Sequence, residues 1–353
     1  MGEKIMVKGT EAIGEAALRA GCRVYFGYPI TPQSELTEYM ARRMPQVGGV
    51  FLQAESEVAT VNMMYGASSV GARVMTSTSS PGFSLMQEGI SYMACARLPA
   101  VFVDVVRGGP GLGDIQPSQG DYFQIVKGGG HGDYRLPVFS PSSLQEAVQL
   151  TIRAFDVADK YRTPVVIFAD GMLGQMMEPV EFPEPIDLDK LPSKDDWALT
   201  GAKGRKARYV TSFNIDPYKL EKMNLVLQDT YKEVEKNEQL WEEFMTEDAE
   251  VVFVAHGTVG RIVKSAVKLA REKGIKAGLF RPISLYPFPY KRLSELAEKA
   301  DIVMTIEMSA GQMLEDVKLA VMGKAETPFY GRLAGVVPTP GEIFEALMKE
   351  IRR

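Results

Sequence analysis

Two carboxylates follow directly on a short apolar segment near residue 50. Val50, Phe51 and Leu52 predict a strand, and Glu55 and Glu57 come immediately after it. In an open α/β sheet, ligands bind at the carboxyl ends of the strands. A glutamate buried there has a raised pKa, so it can hold a proton and share it with a ring nitrogen of a bound cofactor. We predict this catalytic role for Glu55; the alternative is that both glutamates form the acidic first turn of a helix, which the helix dipole favours.

The elements that position these carboxylates alternate regularly along the chain. Predicted strands lie at 24–27, 50–54, 72–76, 99–106, 164–169, 251–257, 276–280 and 302–307. Predicted helices lie at 9–20, 56–69, 83–95, 142–160, 216–246, 259–272, 288–299 and 311–322. This alternation predicts an α/β fold with mostly parallel sheets that are covered by helices on both faces.

The connections between these elements carry their own signals. The glycine-rich segment 108–133 predicts a long loop, and loops of that length inside a domain are usually functional. The hydroxyl-rich segment 77–82 predicts a turn. Thr31 and Pro32 predict the N-cap and the first position of the following helix.

The composition changes in the middle of the chain. Residues 178–196 are rich in Pro, Glu and Asp and predict an extended crossover, whereas 201–208 form a basic run that is typical of a solvated loop. We therefore predict one domain at 1–180, a crossover linker with a charged helix at 181–247, and a second domain at 248–353.

Composition and charge exclude several classes of protein. The chain has 353 residues, 45% of them hydrophobic, and a formal net charge of -5. These values predict a globular protein with two or three domains and no nucleic-acid or membrane-surface partner. Cys22 and Cys95 are too few for an iron–sulfur cluster, and His131 and His256 lie too far apart in sequence to suggest a metal site. No apolar run approaches transmembrane length, so we expect a cytoplasmic protein.

Four motifs, taken together, resemble a known family. They are GYPITPQSE at 27–35, QAESE at 53–57, TSSPGFSL at 78–85 and RGGPG at 107–111. Their order resembles that in the alpha subunits of 2-oxoacid:ferredoxin oxidoreductases, and the similarity covers nearly the whole chain. The segment GDIQPSQGDY at 113–122 looks most like the 2-oxoisovalerate (3-methyl-2-oxobutanoate) branch and departs from the 2-oxoglutarate version.

The resemblance implies a fold, a cofactor and a set of site residues. The fold would be two doubly wound parallel-sheet domains, a pyrimidine-type domain for thiamine diphosphate and a transketolase C-terminal-like domain. Glu55 matches the glutamate that hydrogen-bonds the aminopyrimidine ring of the cofactor. Thr31 matches a threonine on the substrate side, and Arg107 matches an arginine that binds the 2-oxoacid carboxylate through its fork of donors. Ser79 and Ser80 would line the pocket, although turn capping explains them almost as well.

The implied reaction is the oxidative decarboxylation of a branched-chain 2-oxoacid. The products are an acyl-coenzyme A and CO2, and the electrons pass singly to ferredoxin. Two alternatives stay open: a related enzyme for 2-oxoglutarate, pyruvate or indolepyruvate, and a non-catalytic subunit with a role in assembly.

One half of a thiamine site is missing from the sequence. Thiamine enzymes hold Mg2+ and the diphosphate on a Gly-Asp-Gly motif that is followed by an asparagine. The nearest match is Ala169-Asp170-Gly171, and no asparagine occurs between Asn62 and Asn214. We interpret Asp170 as a turn residue at a strand end. The resemblance then implies that a beta subunit carries the Mg2+ and diphosphate site, and that iron–sulfur clusters lie only in partner subunits, among them gamma and ferredoxin-like delta subunits.

Overall fold

Two mainly parallel sheets organise residues 4–352, which the computed structural model describes. The strands are β1 (Lys4–Lys8), β2 (Val24–Gly27), β3 (Val50–Gln53), β4 (Val74–Thr78), β5 (Ala100–Val106), β6 (Val138–Phe139), β7 (Pro164–Asp170), β8 (Met177–Glu181), β9 (Trp241–Phe244), β10 (Val251–Val254), β11 (Ala277–Pro282), β12 (Ser284–Tyr286), β13 (Ile302–Glu307) and β14 (Phe329–Gly331). The outermost ends of the two predicted domains, residues 1–3 and 353, lie outside the described part.

The helices connect these strands in the order that the sequence alternation predicts. They are α1 (Gly9–Arg19), α2 (Ser34–Arg43), α3 (Glu57–Ser69), α4 (Ser80–Cys95), α5 (Leu144–Tyr161), α6 (Gly171–Gln175), α7 (Pro217–Asn237), α8 (Gly257–Glu272), α9 (Tyr290–Ala297), α10 (Gln312–Val321) and α11 (Pro340–Ile351). Short 3-10 helices cover Met44–Val47 and Leu188–Lys190, and a π-helix covers Phe123–Gly128 inside the predicted loop 108–133.

The first sheet has seven strands in the order β12-β6-β7-β5-β4-β2-β3. All neighbours are parallel except β12, which pairs with β6 in the antiparallel sense. Strands β5 and β7 are buried along their whole length, because helices cover both faces of the sheet. The carboxyl ends of β2, β4 and β5 therefore meet at one edge, and this edge positions the site.

The second sheet has five strands in the order β14-β13-β10-β11-β9, with β9 antiparallel at one edge. Helices α8 and α11 pack on one face, where Val263 and Ile343 belong to the same core. Helices α9 and α10 cover the other face, where Leu293 and Val317 join the core that also includes Phe102 of the first sheet. The prediction of an α/β fold with two doubly wound sheets is confirmed.

Several predicted boundaries were wrong because tertiary pairing overrides local propensity. The predicted helix 216–246 ends at Asn237: the carboxylate of Glu238, its C-cap, is buried against Arg153 and Tyr161, and the chain then continues as an edge strand of the second sheet. The crossover predicted from residue 178 begins as β8, which pairs with β1. The domain boundaries stay a prediction, and β12 joins the first sheet although it lies after residue 248.

A buried carboxylate fixes the long loop after β5 against the second sheet. Asp316 of α10 accepts hydrogen bonds from the Tyr122 hydroxyl (2.6 Å), from the Tyr290 hydroxyl and from the Lys127 ammonium group. Burial and the Asp316 carboxylate raise the pKa of Tyr122, so its hydroxyl stays a donor. The loop that borders the site is thus held by charge-assisted contacts rather than by backbone pairing alone.

Candidate functional site

The loops after β2, β4 and β5 meet at the side chain of Arg107. Its Nη1 donates to the carbonyl of Thr31 (2.8 Å) and its Nη2 donates to the carbonyl of Leu112 (2.8 Å). The Arg107 backbone N–H donates to the Ser80 hydroxyl at 3.1 Å. Arg107 itself is only 8% exposed. The structure brings together three of the residues that the sequence singled out.

Thr31 does not cap the helix that follows it. Helix α2 begins at Ser34 with Gln33 at the N-cap position, and the Gln33 backbone N–H bonds to Ile30 in the preceding turn. The expectation of a Thr31 cap with Pro32 at the first helical position was therefore wrong, because the turn is two residues longer than the cap pattern assumes. The Thr31 side chain is exposed at the edge of the sheet.

The buried side chain of Gln33 holds this turn through hydrogen bonds, a role that the sequence did not predict. Its Oε1 accepts hydrogen bonds from the Ser77 hydroxyl (2.5 Å) and the Thr37 hydroxyl (3.1 Å), and its Nε2 donates to the Tyr28 carbonyl (3.3 Å). Both hydroxyls also bond to Tyr25, at 2.6 and 2.9 Å. Burial raises the pKa of Tyr25 to about 12. This buried network fixes the backbone on which Thr31 sits.

The two glutamates after β3 have opposite environments. Glu55, which we expected to be buried, is exposed in this chain, whereas Glu57 is only 4% exposed. Ser56 caps α3 by accepting a hydrogen bond from the Ala59 N–H at 3.1 Å, so Glu57 is the first helical residue and turns inward. No hydrogen bond to the Glu57 carboxylate is found within residues 4–352. The burial that the proton-sharing chemistry needs therefore belongs to Glu57.

The Glu57 carboxylate depends on a glycine in the first turn of α4. A Cβ atom on Gly82 would lie 2.5 Å from Glu57 Oε1 and 2.1 Å from the Thr78 hydroxyl. Side-chain atoms do not approach each other that closely, so only glycine leaves room for both groups.

Ser79 and Ser80 differ in what they contact. The predicted turn at 77–82 was wrong, because β4 runs to Thr78 and α4 begins at Ser80. Ser79 is the N-cap residue, yet its side chain makes no cap bond, and its buried hydroxyl has no partner within the described chain. Turn capping therefore does not account for Ser79. A buried hydroxyl without a partner is a group that a ligand can satisfy.

A cleft of about 550 Å³ opens beside Arg107, between the glycine-rich loop and the second sheet. Its walls include Ser80, Gly109, Phe123, Met308 and Leu333. Among the lining residues, all within the described range, Arg107 is the one cationic side chain and Asp121 the one carboxylate. The cleft can therefore neutralise one anionic group of a ligand and covers the rest with apolar and backbone atoms.

A metal and diphosphate end does not fit the residues present. Asp170 is buried and its carboxylate is occupied, since it accepts hydrogen bonds from the Leu173 N–H (2.9 Å) and from the Thr258 hydroxyl. It caps α6, which confirms its interpretation as a turn residue at a strand end. Across residues 4–352 no group of three or more His, Cys, Asp or Glu side chains is placed to hold a metal ion. No helix in the same range has both the length and the apolar character to cross a bilayer.

The groups that are present fit the pyrimidine end of a thiamine cofactor. Glu57 is a buried residue whose carboxylate has no hydrogen-bond partner among residues 4–352, Ser79 has a buried hydroxyl without a partner in the same range, and Glu55 stands exposed at the same strand end. Such groups hydrogen-bond a heterocyclic ring; a diphosphate needs cations or a bound metal instead.

Two family models match this chain. Residues 15–243 match a model described as pyruvate flavodoxin/ferredoxin oxidoreductase, thiamine diphosphate binding. Residues 249–343 match the core domain II of pyruvate:ferredoxin oxidoreductase.

Curated relatives extend the similarity to nearly the full chain. The chain is 53% identical over 330 residues to the ketoisovalerate oxidoreductase subunit VorB of Methanothermobacter marburgensis, covering 94% of this chain and 93% of that protein. It is 35% identical to the 2-oxoglutarate synthase subunit KorA of the same organism, covering 99% of each.

Solved structures give the same picture of the fold. A 2-oxoglutarate:ferredoxin oxidoreductase from Magnetococcus marinus, solved with 2-oxoglutarate, coenzyme A and succinyl-CoA, superposes with a TM-score of 0.86 at 26% identity. The match covers 99% of this chain and 66% of that one. A split-gene transketolase superposes with a TM-score of 0.61 at 15% identity, covering 98% of each chain, which is a likeness of fold alone.

Replacing Gly82 with alanine should destabilise the isolated chain. The new methyl group displaces either Glu57 or Thr78, and overpacking of this kind costs about 1–3 kcal/mol in the free energy of unfolding. The measurement is urea unfolding followed by circular dichroism. Gly66→Ala is the matched control, since Gly66 lies in α3 with open space around it, and we expect a gain of about 0.5–1 kcal/mol there. Equal stability of the two variants would contradict the close approach at Gly82.

Proposed function

Because the chain belongs to the 2-oxoacid:ferredoxin oxidoreductase family, we propose that it is the subunit that holds the pyrimidine end of thiamine diphosphate and the 2-oxoacid carboxylate. The proposed substrate is 2-oxoisovalerate. The observation that carries this choice is the identity of 53% to a ketoisovalerate oxidoreductase subunit, against 35% to a 2-oxoglutarate synthase subunit. In the proposed reaction the 2-oxoacid loses CO2, its acyl group forms a thioester with coenzyme A, and two electrons pass singly to two ferredoxins.

The shape and charge of the cleft support a substrate with one carboxylate. Arg107 provides the single cation among the lining residues, and Phe123, Met308 and Leu333 provide apolar surface. A branched aliphatic side chain suits such a surface, whereas the second carboxylate of 2-oxoglutarate would be left without a cation. The 2-oxoglutarate, pyruvate and indolepyruvate reactions remain the alternatives.

Arg107 and Thr31 are proposed to bind the substrate. Two of the five N–H groups of the Arg107 guanidinium donate to the carbonyls of Thr31 and Leu112, and three are left for a carboxylate. The two bonds to carbonyl groups fix the plane of the guanidinium before a substrate arrives, which lowers the entropic cost of binding. The Thr31 side chain is exposed, and its hydroxyl is proposed as a further donor to the substrate.

The activating carboxylate is proposed to come from the pair Glu55 and Glu57. When bound, thiamine diphosphate supplies a carbon nucleophile that attacks the 2-oxo group and accepts the electrons released with CO2. The role of the glutamate is to hold a proton at a ring nitrogen of the aminopyrimidine, which requires a desolvated carboxylate. Glu55 is the candidate from the sequence. Because Glu55 is exposed in this chain, a partner subunit would have to cover its carboxylate and exclude water from it. The burial of Glu57 favours Glu57, while Ser79 and Ser80 are proposed to line the same pocket.

The other half of the site is proposed to come from partner subunits. This chain offers no metal cluster within its described residues, and the relatives are named as subunits of larger enzymes. A beta subunit would bring Mg2+ and the diphosphate site, and gamma and ferredoxin-like delta subunits would bring iron–sulfur clusters and the contact with ferredoxin. The net charge of -5 supports neither a nucleic-acid nor a membrane partner, and we propose the cytoplasm as the location.

Glutamine variants separate the two glutamates in the assembled enzyme. We expect Glu57→Gln to lower kcat by a factor on the order of 10²–10⁴, because a neutral amide cannot cycle the proton. Glu55→Gln should have a small effect, since its carboxylate is exposed in this chain. The decisive measurement is the exchange rate of the thiazolium C2 proton without substrate, which Glu57→Gln should slow. The reverse pattern would return the role to Glu55, and normal exchange in both variants would rule out the pair.

Substrate preference tests the assignment of the branched-chain acid. In the assembled enzyme, kcat/KM for 2-oxoisovalerate should exceed that for 2-oxoglutarate by a factor on the order of 10² or more, because a second carboxylate buried without a partner is costly. Both acids are assayed on one preparation with a ferredoxin reduction readout. A preference for 2-oxoglutarate would sink the branched-chain proposal and leave family membership standing.

A further inference from the structure

A fully buried aspartate lies in the centre of the first sheet. Asp104 is 0% exposed and sits in β5 on the same face as Phe102 and Val106, because side chains alternate along a strand. Neither oxygen of its carboxylate has a hydrogen-bond donor within residues 4–352. An ionised carboxylate without a donor is among the most costly groups to bury. In the sequence, Asp104 interrupts the otherwise apolar segment 99–106, which predicts a strand but no partner for the carboxyl group.

A second carboxyl group, that of Asp121, lies close enough to Asp104 to contribute to the raised pKa of Asp104. Asp121 comes from the loop after β5 and is 9% exposed. One of its oxygens accepts a hydrogen bond from Gln124 Nε2 at 2.7 Å, while the other is buried without a donor from the described residues. Two carboxyl groups hydrogen-bond each other only if one of them carries a proton. Three carboxyl oxygens of this pair are buried without a donor from residues 4–352, so a proton on one of the two groups is needed to satisfy them.

The pair is connected to Arg107 through Ser80. The Ser80 hydroxyl accepts a hydrogen bond from the Arg107 backbone N–H and donates to the Arg107 carbonyl (3.3 Å), and Ser80 also acts to lower the pKa of Asp121. The Nε atom of Arg107 is buried and makes no hydrogen bond to the described residues. Arg107 is also the cation whose field acts on both carboxyl groups. The charge of the pair therefore decides how much of the Arg107 charge is left for a ligand.

Other charged groups near Asp104 and Asp121 either have hydrogen-bond or ion-pair partners of their own or lie on the opposite face of the sheet. Lys127 and Asp316 form an ion pair, and Asp170 at the end of β7 bonds to Thr258 and Leu173. Glu57 of α3 is the remaining carboxylate that packs against β4 and α4. The charged side chains of α5 lie on the opposite face of the sheet, where Val103 and Val105 face that helix.

We propose that Asp104 and Asp121 share one proton and act as positioning residues for Arg107, so that one negative charge rather than two stands behind the guanidinium. This proposal rests on the proposed role of Arg107 in binding the substrate carboxylate. A second negative charge there would repel the incoming anion and would draw the guanidinium toward the sheet.

The pKa shifts have the sign that this arrangement requires. Burial and the neighbouring carboxyl group raise the pKa of Asp104 well above its ordinary value of 3.8, and burial also raises the pKa of Asp121. The folded chain thus keeps a proton that the unfolded chain releases near its ordinary pKa. Stability falls as the pH rises from that value through the folded pKa, and the shared proton is lost above the folded pKa.

The first test detects the proton directly in the full chain. At about pH 8, where free carboxyl groups are ionised, the infrared spectrum should contain the C=O stretch of a protonated carboxylic acid. Asp104→Asn should remove this band, whereas Asp121→Asn should only shift its frequency, because burial still keeps the Asp104 carboxyl group protonated. Asp133→Asn should retain it, since Asp133 is exposed in the loop that ends the glycine-rich segment. A spectrum without the band, or a band that survives Asp104→Asn, would overturn the shared proton.

The second test measures KM for 2-oxoisovalerate against pH in the assembled enzyme. We expect KM of the wild type and of Asp133→Asn to rise about tenfold per pH unit once the shared proton is lost. In Asp104→Asn the amide is neutral at every pH, so this rise should vanish. A rise that persists in Asp104→Asn would overturn the positioning role. Arg107→Lys distinguishes the two proposals. A KM equal to that of the wild type in this variant would overturn the substrate role of Arg107 itself. The infrared band would still report whether Asp104 and Asp121 share a proton.

Discussion

The hydrogen bonds of Arg107 hold together the loops at the carboxyl ends of the strands of the first sheet. The guanidinium joins the turn after β2, through Thr31, to the glycine-rich loop, through Leu112, while the Arg107 backbone bonds to Ser80 at the start of α4. Hydrogen bonds from a charged group are worth about 1.5–3 kcal/mol each, more than the backbone contacts of an irregular loop. Without them the three loops would have no common anchor, and the cleft beside Arg107 would lose its wall.

Burial of charge explains why this edge is built for a ligand and is incomplete without one. Arg107 is buried with a donor unused, Glu57 is buried without a partner in the described chain, and Asp170 is fully occupied by the cap of α6. The unsatisfied groups suit a carboxylate and a heterocyclic ring, whereas nothing in this edge suits a diphosphate. Under the proposed function, the covering subunit and the cofactor together satisfy the groups that this chain leaves open.

Sequence reasoning found what depends on the order of the elements and missed what depends on packing. Strand ends of a parallel sheet meet at one edge, which accounts for the convergence of Thr31, Ser80 and Arg107, the residues that the family resemblance singled out. Which of Glu55 and Glu57 faces inward depends on where α3 begins and on the room at Gly82, and no strand or helix pattern contains that information. The partners of Gln33 and Asp104 lie on other strands and loops, so the local sequence around these two residues does not predict which groups they contact. The edge strand β9 was read as helix because its pairing with β11 is not local.

The measurement that tests this account most directly is the binding of thiamine diphosphate, with Mg2+, to the isolated chain and to the chain mixed with its partner subunits. Under the proposed function the residues within 4–352 bind the ring of the cofactor, and none of them is placed to hold a metal ion. We therefore predict that calorimetry detects no binding by the isolated chain at micromolar concentrations and tight binding once the partners are present. Micromolar binding by the isolated chain would contradict the division of the site between subunits.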